Sequence, residues 1–83
     1  MSFVETKLPP PTSPVWKRVV EGQFSDKISS FALKILLRRL KSRLERKNDP
    51  ETLQACIEEL RKFLLEQKDL STVQHDINVL LGN

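Results

Sequence analysis

The residues able to do chemistry are few: one cysteine, Cys56, one histidine, His75, no tyrosine, and carboxylates scattered over 83 positions. His75 stands beside Asp76, but no second histidine, HxxxH or CxxC accompanies it, and a metal site needs three or four converging ligands. Cys56 lies among Leu53, Ile57 and Leu60, where a small buried hydrophobe is expected rather than a reactive thiol. Glu58 and Glu59 have basic residues three or four positions away, the usual pattern of a solvated helix face. The two glycines, Gly22 and Gly82, fall at expected helix ends, which leaves no glycine-rich phosphate loop. The inventory offers no nucleophile with a base beside it. The expectation is a protein that is not an enzyme and holds no cofactor and no metal.

Binding remains, and its strongest signal is a basic run. Lys34, Arg38, Arg39, Lys41, Arg43, Arg46 and Lys47 fall within 14 positions opposed only by Glu45. On a helix, Lys34, Arg38 and Lys41 share one edge, and Arg39, Arg43 and Arg46 share the adjoining one. Such a surface suits an acidic protein partner, and the alternative is nucleic acid, whose phosphates the same cations would neutralise. The plain reading is that these residues complement a helix C-terminus and keep a leucine-rich segment in solution. A calmodulin-type target or a membrane-surface helix is disfavoured, because both need the face carrying Phe31, Ile35, Leu40 and Leu44 to be free of packing. A helix-turn-helix built on Ser71 to Gln74 is weakly supported, since the helix that would read DNA has no Arg or Lys.

Four helices must position these residues. The first stretch, 1–13, holds Pro9, Pro10 and Pro11, which hold the backbone near polyproline II, and reads as a flexible arm. Ser13 then caps a short helix of about 14–21 that opens on Pro14 and closes at Gly22. Ser25 and Asp26 open a long helix of about 25–47. Asp49-Pro50-Glu51 restarts the chain as a helix of about 50–68, and Ser71-Thr72-Val73-Gln74 resembles a capping box for a last helix of about 71–81. No segment alternates as strands do, so the fold class is all-α, a small helical bundle over 14–83.

The faces of these helices decide what they cover. The third carries a single stripe of Leu53, Cys56, Ile57, Leu60, Phe63 and Leu64. The second is apolar on two sides, with Ile28, Phe31, Ala32 and Ile35 on one and Leu33, Leu36 and Leu37 on another, so two neighbours must cover it. One stripe cannot do so, and the surplus predicts a homodimer with Trp16, Phe31, Leu33 and Leu37 at its interface. The chain has no run long enough to span a bilayer and no signal-like start, so the expected compartment is the cytoplasm. The function expected is that of an adaptor or regulator, or of a subunit of a larger assembly.

Overall fold

A computed structural model of the chain describes residues 8–22, 25–67 and 70–81. It is a small helical bundle: α1 (Val15–Glu21), a 3-10 turn (Ser25–Lys27), α2 (Phe31–Arg46), α3 (Pro50–Leu65) and α4 (Leu70–Leu81). No strand occurs among the described residues.

The caps explain the boundaries. α1 begins at Val15, one residue later than expected, with Pro14 rather than Ser13 in the cap position, and the Ser13 hydroxyl accepts from Val15 N at 3.4 Å just ahead of it. The Asp49 carboxylate accepts from Thr52 N at 2.7 Å, and Pro50, with no N–H of its own to satisfy, takes the first position of α3. α3 stops at Leu65, short of the expected 68, where Gln67 Nε2 donates back to the Phe63 carbonyl at 2.9 Å. α4 is already helical at Leu70, so Ser71 lies inside the helix rather than before it. The side chains of 71–73, and with them the expected capping box, lie outside the described residues.

The second helix departs most from expectation. A continuous helix over 25–47 is replaced by the 3-10 turn, an extended link through Ile28 to Ser30, and α2 proper from Phe31. The reason is a competing acceptor. Asp76 of α4 accepts from the backbone N of Ser29 at 2.7 Å and of Ser30 at 3.1 Å, donors turned away from any helix running through this point. Ser30, extended at φ −74° and ψ 120°, then caps α2 by accepting from Leu33 N.

α2 and α3 form an antiparallel hairpin: Cys56 Sγ lies 3.8 Å from the Leu40 carbonyl, and Arg39 of α2 meets Glu59 of α3. α1 packs on both members of the hairpin and also touches α4. That crossing covers the surplus apolar side of α2. Trp16, Leu33 and Leu37 are buried within one chain, at 0%, 1% and 6% exposure, which corrects their assignment to an interface between copies. They belong to the core with Leu40, Leu44, Leu60 and Leu64.

The expected arm is corrected in part. Residues 1–7 lie outside the described residues, but Leu8 is buried against the core. The Trp16 indole N–H reaches the carbonyls of Pro9 at 3.3 Å and Pro10 at 3.0 Å. From Leu8 onward the proline segment therefore belongs to the bundle.

Candidate functional site

The helical period assigns each α2 residue to a side. Leu33, Leu36, Leu37, Leu40 and Leu44 are buried, and at 100° per residue the opposite side carries Phe31, Ile35, Arg38, Ser42 and Arg46. All five are exposed, Phe31 at 73% and Ile35 at 47%. Of the four residues expected at a dimer interface, Phe31 alone is exposed. Ile35, one turn further on, stands beside it without having been singled out among the site residues. The signal for it was present: a helix with its leucines turned inward must turn positions 31, 35, 38, 42 and 46 outward together.

The six cations of α2 do not form one uninterrupted surface. Arg39 and Arg43 both reach across the hairpin to Glu59, Arg39 in close contact and Arg43 Nη1 at 3.5 Å from Oε1. Exposed pairs of this kind contribute up to about 1 kcal/mol each, so they steer the hairpin register more than they hold it. Lys47 leans toward Asp49 at 3.8 Å. Lys41 is half-buried and lines a shallow hollow with Glu21, Leu44, Glu45 and Asn48. Lys34 is half-buried too, while Arg38 and Arg46 are exposed and make no ion pair among the described residues. The cations outside these ion pairs are therefore Lys34, Arg38 and Lys41 along one edge of α2 and Arg46 on the adjoining one, near the end of the helix. Between the helices lies a second shallow groove, floored by Leu36 and Phe63 and rimmed by Arg39, Glu59, Lys62 and Glu66.

Cys56 is fully buried, and burial pushes its thiol up from the ordinary value, Arg43 lowering it and Glu59 raising it by less. His75 is exposed on α4 while its neighbour Asp76 is fully buried on the Ser29 and Ser30 amides, so the two do not converge. No group of three His, Cys, Asp or Glu able to hold a metal ion occurs among the described residues. Nor is any helix there long and apolar enough to cross a membrane.

What the arrangement does chemically is present two apolar anchors beside a row of cations on a rigid helix about 24 Å long. Comparison with protein-family models, with curated proteins and with solved structures finds no match for the chain.

Proposed function

We propose that this protein is a non-catalytic binding module, an adaptor or regulator, that holds an acidic protein surface against the outer face of α2. The observation that carries the reading is the pairing of exposed Phe31 and Ile35 with Arg38 and Arg46 on a helix whose opposite side is fully used by the core. Apolar anchors supply most of the contact energy in such interfaces, and flanking charges supply orientation and encounter rate. The cytoplasm fits this role, since a lone thiol such as Cys56 stays reduced there.

Affinity capture from native lysate tests the reading, with wild type compared against Arg38→Glu combined with Arg46→Glu, each with and without nuclease. The expected result is a protein partner that survives nuclease and is lost on charge reversal. Loss on nuclease treatment would instead assign the face to nucleic acid, whose phosphates these cations also fit.

A further inference from the structure

The large apolar side chains left exposed among the described residues are Phe31, Ile35 and Leu65, and the hairpin brings them to one end. Cys56 stands level with Leu40, so an antiparallel count puts Arg38 level with Glu58, Arg46 level with Pro50 and Glu51, and Phe31 level with Leu65. The outer sides of the two helices carry opposite charge. α2 has six cations against Glu45 alone. On α3, Glu51 and Glu58 are exposed, and of the two α3 cations Arg61 is drawn over the Trp16 ring, 5.9 Å from its centroid, which leaves Lys62 as the outward one. α1 packs on both helices, and Phe31, Ile35, Arg38 and Arg46 of α2 and Glu51, Glu58 and Leu65 of α3 are exposed.

We propose that the occupant of the α2 outer face is a second copy of this chain. The two hairpins stack about a twofold axis parallel to their helices, so that α2 of each copy lies on α3 of the other. This rests on the reading that the α2 face takes an acidic surface, and it names that surface. An axis along the helices preserves height. Each α2 residue therefore meets, on the other copy, the residue that stands level with it in its own chain. Arg38 then faces Glu58 of the partner subunit, Arg46 faces Glu51 of the partner subunit, and Phe31 and Ile35 gather at one end with Leu65 of the partner subunit. Ser42 comes level with Gln54 of the partner subunit. Because the contact is self-complementary, every pair occurs twice.

The size of the face sets the strength. A hairpin about 24 Å long and roughly 20 Å wide covers on the order of 500 Å² per copy, or about 1,000 Å² in total, the low end for specific interfaces. The dimer is accordingly a concentration-dependent one rather than an obligate one, consistent with a core complete within each chain.

Sedimentation of the full chain from low to high micromolar concentration tests this with two charge-reversed variants, Arg38→Glu with Arg46→Glu, and Glu51→Lys with Glu58→Lys. None of these four residues is in the core, and circular dichroism verifies that each variant folds. Wild type should dimerise, each variant alone should bind itself about tenfold or more weaker, and an equimolar mixture should recover a dimer, because each reversed face then meets its opposite. A wild type that stays monomeric, variants that associate like wild type, or a mixture that does not recover each overturns the proposal. If wild type is monomeric but lysate capture is still lost on reversal of Arg38 and Arg46, self-pairing alone falls. If capture also survives reversal, the acidic-surface reading falls with it.

Discussion

Asp76, in α4, accepts a hydrogen bond from the backbone amide of Ser29 at 2.7 Å, across 47 positions of sequence. Its second oxygen takes the Ser30 amide at 3.1 Å, so one fully buried side chain ends the 3-10 turn and sets where α2 starts. Replacing it by alanine leaves two part-buried backbone donors without their acceptor, which costs about 2–4 kcal/mol. Asp76→Asn keeps one acceptor and should lose roughly half as much. Urea unfolding followed by circular dichroism measures both, and equal stability of the three proteins would show that the contact does not hold α4 to α2.

Trp16 provides a second anchor of the same kind. Its ring is fully buried and its N–H is shared between the Pro9 and Pro10 carbonyls. Trp16→Phe keeps most of the apolar contact and drops the donor, for an expected loss of about 1–2 kcal/mol, whereas Trp16→Ala should lose about 3–5 kcal/mol. As the chain's one tryptophan, it should emit at short wavelength when folded and shift red on unfolding. Red-shifted native emission would place the ring in water and contradict its role in the core.

These two contacts mark where the sequence stops being legible. α3 could be read directly: Asp49 and Pro50 cap it, and Leu53 to Leu64 form its stripe, all of it information within one helix. The start of α2 could not, because Ser25 and Asp26 read as its opening, whereas the cap used is Ser30, held in place by Asp76 from far along the chain. Leu33 and Leu37 read as surplus because nothing local indicates that the short α1 crosses both hairpin helices and covers them. The basic face was legible as a charge pattern, but not its division, since Glu59 reaches Arg39 and Arg43 only once the hairpin register is set.

Cys56 offers a reporter of the core. It is fully buried, and desolvation holds its thiol above the ordinary value, so in native buffer it should react with a thiol reagent roughly a thousandfold slower than in the unfolded chain. The labelling rate should rise with urea in parallel with the unfolding curve. Fast labelling of the folded protein would mean that the contact between α2 and α3 opens locally at this level.

Asp49 sets an acid limit on the fold. Its carboxylate lies below the ordinary value of 3.8, first because the Thr52 amide donates to it, then through the Thr52 side chain, with Lys47 lowering it less and partial burial opposing. A group whose pKa is lower in the folded state than in the unfolded one stabilises fully above the unfolded value, and that contribution disappears as pH falls through the folded value. The cap of α3 is thus at full strength near neutrality and should weaken from about pH 4 downward. Asp49→Asn retains an oxygen acceptor at the cap but has no proton to gain in this range. Melting temperatures of the two proteins, measured between about pH 2 and pH 6, isolate this group, since every other carboxylate is common to both. Wild type should hold its advantage above the ordinary carboxylate range and lose it as the solution becomes more acidic. A difference that stays constant across the range would show that the charge on Asp49 contributes nothing, and that the cap works through its oxygen alone.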